Sequence, residues 1–231
     1  MDCALKEAVR PKSLHDVIGQ PCVRQLRALA RNPRPCCVAL VGPPGVGKSA
    51  SASALANDLG CSDDGWGQSK FVECATTFSV EHAEWYFGPQ TPFKYHGGAK
   101  GVHILILEEL ESLHPTVQGI LKTVLDPMPE WLKLILVATS NGLGKFTKTA
   151  TARALLQRFD ILNFEAGPCF MDAYNDKLPG IWAERMGADT PMPPGWQSWG
   201  LDGDDFSARL ALSMCERYIR AAELDTEEIY A

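Results

Sequence analysis

The chain has 231 residues, of which 45% are hydrophobic and 22% are charged, and its formal net charge is −6. This composition is typical of a globular protein with one good core and a small appended unit. The acidic balance argues against a freestanding nucleic-acid-binding protein, although it allows local phosphate contacts within an assembly.

No apolar run approaches the roughly 20 residues of a membrane span, and residues 1–10 lack the apolar segment of a signal peptide. We therefore expect no membrane partner and a protein that is not secreted but cytoplasmic, or located in the nucleoid or nucleus. The eight cysteines contain no C-x-x-C pair, so most are expected to be reduced and buried. A zinc site that uses Cys61 and Cys74 is the weaker alternative. Cys36 and Cys37 fall in a predicted strand and should point to opposite faces.

The chain begins with a segment, residues 10–20, that is punctuated by Pro11 and Gly19. This punctuation predicts an extended conformation rather than a helix. Pro21 suits the first turn of a helix over residues 21–31, whose apolar positions predict one buried face.

Residues 38–49 read V-A-L-V-G-P-P-G-V-G-K-S, an apolar strand followed by a glycine-rich loop and a helix over residues 48–59. Glycines allow the backbone N–H groups of such a loop to converge on phosphates, and the helix start adds its positive dipole end. The pattern supplies a lysine for the β- and γ-phosphates and a hydroxyl for Mg²⁺. It therefore predicts nucleoside triphosphate binding by Gly42, Pro43, Pro44, Gly45, Val46, Gly47, Lys48, Ser49 and Ala50.

A second apolar run, residues 102–107, ends at Glu108 and Glu109. A continuous apolar run predicts a central parallel strand, and ligands bind at the carboxyl ends of such strands. One carboxylate can hold the hydration shell of Mg²⁺ while the other polarises the attacking water. The alternative is a pair of solvated acids at a helix start.

Further strands are predicted at residues 70–74, 132–138 and 160–164, and further helices at residues 79–87, 115–125 and 150–157. The composition changes at Gly167, after which we expect helices over residues 170–178 and 179–186. A final amphipathic helix is predicted over residues 205–222. Two domains follow from this change, a core over residues 1–167 and a small helical domain over residues 168–231.

The N-terminal pattern R-P-x-x-L-x-D-V-I-G-Q, followed by G-P-P-G-V-G-K-S, resembles the AAA+ ATPases, and within them the sliding-clamp loader group of replication factor C small subunits. The resemblance implies an α/β P-loop NTPase fold, a three-layer αβα parallel sheet followed by a small helical lid domain. It also implies an adenine pocket lined by Arg10, Pro11, Val17 and Ile18.

The same resemblance implies roles for polar residues elsewhere. Glu108 matches the metal position, where the family usually has Asp, and Glu109 matches the general base. Asn141 is similar to the sensor 1 residue, with Ser140 or Thr139 as alternatives. Arg158 is similar to the arginine that reaches a neighbouring subunit's ATP site, and Arg209 to sensor 2.

These roles imply an ATPase that needs ATP and Mg²⁺ and works in an oligomer with other AAA+ subunits, a sliding clamp and primer-template DNA during DNA replication. We expect no C-terminal collar domain, because the sequence ends at Ala231 after the predicted lid. The alternative is a nucleotide-dependent scaffold or regulator with little ATP turnover, which Glu108 and the acidic charge favour.

Overall fold

The computed structural model describes residues 5–63, 68–88, 91–95, 97–126, 128–129, 131–144, 146–203 and 205–230. Strands and helices alternate as far as residue 163, and helices predominate after it. The strands are β1 (Cys36–Val41), β2 (Lys70–Cys74), β3 (His103–Glu108), β4 (Leu134–Ser140), β5 (Asp160–Asn163), β6 (Leu201–Asp202) and β7 (Asp205–Phe206). The helices are α1 (Leu5–Ala8), α2 (Val23–Arg31), α3 (Lys48–Asp58), α4 (Val80–Phe87), α5 (Pro115–Val124), α6 (Ala150–Leu156), α7 (Pro168–Asn175), α8 (Leu178–Met186) and α9 (Ala208–Tyr230).

The five longer strands form one parallel sheet in the order β2-β3-β4-β1-β5. Its register places Ala39 of β1 between Ala138 of β4 and Ile161 of β5. Because all five strands run in the same direction, the loops that follow β1, β3 and β4 meet at one edge of the sheet. That edge is where the candidate functional site lies.

Helices cover both faces of the sheet, because its central strands are apolar on both sides. On one face, Val38 and Leu40 share a core with α2, α3 and the helices α7, α8 and α9 of the C-terminal segment, residues 168–230. On the other face, Cys37 and Ala39 share a core with α4, α5 and α6. The predicted three-layer αβα arrangement is confirmed, as is the prediction that Cys36 and Cys37 point to opposite faces.

The C-terminal segment differs from the prediction at its last helix. Residues 205–206 form strand β7, which pairs with β6 in a short antiparallel hairpin, so that α9 begins at Ala208 and not at residue 205. Packing explains the difference. Phe206 is 1% exposed, and the centroid of its ring lies 5.6 Å from that of Phe170, so the strand residue is anchored in the core before the helix begins. The Ser207 hydroxyl then accepts the N–H of Leu210 at 3.4 Å as the helix begins.

The proposed division at residue 167 coincides with the start of α7, where Pro168 occupies the first helical turn. Phe170, Trp182 and Leu212 of the C-terminal segment nevertheless share one continuous apolar core with the sheet. In the described part of the chain, none of the helices combines the length and the apolar character that a membrane span needs.

Candidate functional site

The loop after β1 has the backbone geometry that phosphate binding requires. Gly45 and Gly47 have positive φ angles of 84° and 92°, which glycine adopts readily. A Cβ on Gly42 would lie 2.3 Å from the carbonyl oxygen of Phe164, so that position also has no room for a side chain. Nothing lies within 4 Å of the point where a Cβ would project from Gly47, so the loop faces open space where helix α3 begins.

Lys48 is held beneath this loop. Its side chain is buried, and its ammonium donates to the carbonyl oxygens of Gly42 at 2.7 Å and Pro43 at 2.6 Å and to Oδ1 of Asn141 at 3.0 Å. Burial lowers the pKa of Lys48 from 10.5 to about 8; the Glu111 carboxylate opposes this shift, and the Arg209 charge adds to it. A cation held in this way is ready to meet the negative charge of a ligand.

The two carboxylates at the end of β3 open into the same space. Glu108 ends the strand, and Glu109 follows it with a φ of 59°, the single non-glycine residue with a positive φ in the described part of the chain. Strained backbone of this kind is concentrated at functional sites. Glu109 is exposed, and the thiol of Cys74 lies 3.8 Å from its Oε2.

Asn141 directly follows β4, which extends two residues further than predicted and includes Thr139 and Ser140. Its backbone N–H donates to Oε1 of Glu111 at 3.1 Å. Of the two alternatives to Asn141, Thr139 lines the cleft described below, whereas the Ser140 hydroxyl accepts the N–H of Gly142 at 3.1 Å. Glu111 was not among the residues predicted from the sequence. Its position three residues after Glu108 was the available signal.

The N-terminal segment, residues 10–20, lies beside the P-loop, the glycine-rich loop of residues 42–49. Arg10, Pro11, Val17 and Ile18 all line the cleft. The segment is fixed by Gln20, a buried residue that the sequence analysis did not single out. Its amide nitrogen donates to the carbonyl oxygens of Glu165 at 2.8 Å and Val46 at 3.4 Å, and its Oε1 accepts the N–H of Glu165 at 3.0 Å.

The C-terminal segment closes the site from the other side. The N–H of Ala208 donates to the carbonyl oxygen of Gly45 at 3.2 Å, and a Cβ on Gly45 would lie only 2.0 Å from the Ser207 hydroxyl. This contact places exposed Arg209, in the first turn of α9, on the cleft wall. The segment also contributes residues that the sequence analysis missed, which are Phe170, Tyr174, Lys177, Ile181 and Leu212. Burial raises the pKa of Tyr174, so its hydroxyl stays neutral.

These walls enclose a cleft of about 630 Å³, which is the size of a site for a small ligand. The predicted residues on its wall are Arg10, Pro11, Val17, Ile18, Pro44, Gly45, Val46, Gly47, Lys48, Ser49, Ala50, Glu108, Glu109, Asn141 and Arg209. Gly42 and Pro43 do not line it but accept hydrogen bonds from Lys48. The P-loop glycines, the cations of Lys48 and Arg209 and the start of α3 fit a polyphosphate. The Ser49 hydroxyl and the Glu108 carboxylate fit Mg²⁺, which prefers oxygen ligands.

Two predicted features do not belong to this cleft. Arg158 does not line it, and its guanidinium instead contacts the carbonyl oxygen of Ala154 and the carboxylate of Asp126. The thiols of the alternative zinc site have separate partners, because Cys61 donates to the carbonyl oxygen of Val102 and Cys74 lies beside Thr76. Within the described ranges, no three His, Cys, Asp or Glu side chains group as a metal site would require.

The chain was compared with known proteins. Residues 38–164, more than half of its length, match the model of the ATPase family associated with various cellular activities (AAA). The Holliday junction branch migration complex subunit RuvB of Nocardia farcinica is 45% identical over 65 residues, which are 26% of this chain and 18% of that protein. The replication factor C small subunit of Archaeoglobus fulgidus is 27% identical over 166 residues, which are 69% of this chain and 49% of that protein. These curated relatives are therefore matched over about half of their length or less.

Among solved structures, the chain is similar to the RuvB Holliday junction branch migration motor of Thermotoga maritima. The TM-score is 0.65 at 19% identity, and the likeness covers 90% of this chain and 64% of that chain. At this identity the likeness shows the fold alone.

Proposed function

The chain belongs to the AAA family of ATPases, and we propose that it binds and hydrolyses ATP as one subunit of an oligomer that acts on DNA. The main support for this proposal is that three kinds of functional group line one cleft. Lys48 and the P-loop offer cationic and N–H contacts for phosphates, Glu109 offers a carboxylate base, and Arg209 offers a second cation.

Each of these groups has a role in hydrolysis that its position supports. The N–H groups at the start of α3 and the Lys48 ammonium bind the β- and γ-phosphates. Glu109 accepts the proton of the attacking water, and Asn141, already fixed at 3.0 Å from Lys48, orients that water or a γ-phosphate oxygen. Arg209 brings positive charge from α9 to the phosphates, on a segment that already contacts the P-loop through Ala208.

Ser49 and Glu108 are the residues that would hold Mg²⁺. When bound, the ion neutralises charge that develops on the phosphate oxygens. Glu108 is one methylene longer than the Asp usual in the family, and we propose that it acts through a water of the Mg²⁺ hydration shell.

Within the family, we propose a clamp-loader-like subunit in DNA replication whose partners are related AAA+ subunits, a sliding clamp and primer-template DNA. The sequence match to replication factor C supports this choice, because it extends over 69% of the chain while the sequence match to RuvB extends over 26%. Steady-state ATPase rates test this proposal in three conditions: the protein alone, the protein with a clamp and primed DNA, and the protein with four-way junction DNA. Stimulation by clamp and primed DNA supports the proposal, whereas stimulation by the junction alone favours a branch-migration role.

One observation favours a second candidate, a nucleotide-dependent scaffold or regulator with little turnover. Arg158, the residue proposed to complete a neighbour's site, is paired with Asp126 of its own chain, and its side chain is only 19% exposed. A chain that keeps this pair on assembly would bind ATP without receiving a catalytic arginine. Tight ATP binding with negligible hydrolysis under all three conditions would select this candidate.

A further inference from the structure

Glu111 lies in the short turn Leu110–Ser112, directly after the two carboxylates that end β3. Its Oε1 accepts the backbone N–H of Asn141 at 3.1 Å. Its Oε2 is buried and has no hydrogen-bond partner among the described residues. A buried carboxylate oxygen without a hydrogen-bond donor costs free energy of folding. Local hydrogen bonding therefore does not explain why a glutamate occupies this position.

Asn141 needs an external support because of where it lies. It is an exposed residue at the first position after β4, where the regular hydrogen bonding of the sheet has ended. The contact from Glu111 fixes its backbone, and its side-chain Oδ1 then meets Lys48 at 3.0 Å. Two links, Glu111 to Asn141 and Asn141 to Lys48, therefore join the end of β3 to the P-loop across the end of β4.

The negative charge of Glu111 supports the site in addition to its hydrogen bond with Asn141. Its carboxylate attracts the buried Lys48 ammonium and so opposes the lowering of the Lys48 pKa that burial causes. A glutamine could accept the Asn141 N–H equally well but could not supply this attraction. Glu111 thus combines a directed contact to Asn141 with a negative charge near the P-loop.

We propose that Glu111 is a positioning residue, which holds Asn141 at the distance from Lys48 at which both can engage the nucleotide. The inference rests on the function proposed above. It assigns no contact between Glu111 and the substrate, so Glu111 acts entirely through Asn141 and through the field at Lys48. The alternative is a purely structural tether between two loops, which would influence stability and not the reaction.

The kinetic test compares Glu111→Ala and Glu111→Gln with the parent, and Glu84→Ala, an exposed glutamate of α4, serves as the matched control. We expect Glu111→Ala to lower kcat about tenfold or more, as the loss of one well-placed hydrogen bond does, with a much smaller change in KM. Glu111→Gln should recover most of the loss, because its amide oxygen can accept the Asn141 N–H. Parent-like kcat in Glu111→Ala would overturn the proposal.

A double-mutant cycle separates positioning from tethering. If Glu111 acts mainly through Asn141, Glu111→Ala should lower kcat much less in the Asn141→Ala background than in the parent, because the side chain that it positions is already gone. The loss that remains measures the attraction between Glu111 and Lys48. Additive losses in kcat would overturn the proposal. Should Glu111→Ala fail to fold, Glu111→Asp takes its place: it keeps the charge but draws the oxygen back by one methylene, so kcat should fall as for Ala.

A measurement that does not depend on catalysis tests the role of Glu111 separately from the proposed ATPase function. NMR hydrogen exchange of the Asn141 amide should accelerate in Glu111→Ala and stay near the parent rate in Glu111→Gln, while the Gly142 amide, bonded to Ser140, changes little. If the parent does not hydrolyse ATP, the proposed function fails, and the Asn141 exchange rate then tests whether Glu111 holds the Asn141 backbone. An Asn141 amide unchanged in Glu111→Ala would overturn that role.

Discussion

Lys48 and Asn141 are 93 positions apart in the sequence, yet the Lys48 ammonium donates a 3.0 Å hydrogen bond to Oδ1 of Asn141. The parallel pairing of β1 with β4 brings them together, because Val41 and Ser140 lie side by side at the ends of these strands. The P-loop cation and the polar residue after β4 are therefore in contact within one subunit. The same ammonium is also held by two P-loop carbonyls, which orients it toward the cleft.

Replacement of Lys48 by alanine should abolish tight ATP binding. The change removes the buried cation beneath the P-loop, and charge-assisted hydrogen bonds of this kind are worth enough to weaken affinity by about 100-fold or more. A fluorescence titration with a labelled nucleotide measures the effect, and Lys148→Ala, which removes an exposed lysine outside the cleft, is the control. Unchanged affinity in Lys48→Ala would show that the nucleotide does not bind at this loop.

Nucleotide affinity should fall as the pH rises through about 8. The folded-state pKa of Lys48 is lowered to about 8 by burial, so the ammonium is charged below that pH and loses its proton above it. Bound phosphates favour the charged form, so binding above this pH requires proton uptake and weakens by up to about tenfold per pH unit. Titrations between about pH 7 and about pH 9.5 measure this dependence. Lys48→Arg keeps its charge throughout this range, and a decline as steep in this variant as in the parent would refute the assignment to Lys48.

Gln20→Ala should destabilise the protein by roughly 2 kcal/mol, because it removes three hydrogen bonds and leaves buried backbone groups without partners. Those bonds link the N-terminal segment to Val46 of the P-loop and to Glu165 before α7. Urea unfolding monitored by circular dichroism gives the free energy of unfolding. Gln25→Ala, at an exposed position of α2, is the matched control and should change it by less than about 0.5 kcal/mol. Equal values for the two variants would contradict the bridging role of Gln20.

The sequence predicted the sheet and the P-loop well because their signals are local. Apolar runs mark strands that are buried on both faces, and the spacing from Gly42 to Lys48 is dictated by the backbone geometry of a single turn. Arg209 and the four residues of the N-terminal segment were predicted from the family resemblance and not from local patterns. In the structure they line the same cleft.

Glu111, Gln20 and the start of α9 could not be predicted in this way. Glu111 and Gln20 act through contacts with backbone groups that are 30 and 145 positions away, and no periodicity records such contacts. The sequence 205–207 fits an amphipathic helix by pattern, but burial of Phe206 against Phe170 decides in favour of a strand. Tertiary packing overrode local propensity there.

Arg158 gives a test of assembly. If it completes a neighbour's site, the ATPase rate should rise faster than linearly with protein concentration, and Arg158→Ala should remove that rise, on the order of 10³-fold at saturation, while ATP binding is spared. Arg217→Ala, an exposed arginine of α9, is the control and should behave like the parent. Mixing Arg158→Ala with Glu109→Gln chains should restore activity at interfaces that pair an Arg158 donor with an intact Glu109. Activity strictly proportional to concentration would mean that catalysis is not shared between subunits.

The central claim, that Glu109 activates water for ATP hydrolysis in this cleft, is tested most directly by a single-turnover measurement on Glu109→Gln. The amide keeps the shape of the side chain and loses its basicity, so ATP should bind with parent-like affinity while the hydrolysis step slows by about 10² to 10⁴-fold. Glu108→Gln, measured beside it, should instead need a higher Mg²⁺ concentration to reach its full rate, because one of the two groups that would hold the ion is lost. Hydrolysis at the parent rate in Glu109→Gln, with Glu108→Gln inactive, would contradict the claim and assign the base to Glu108.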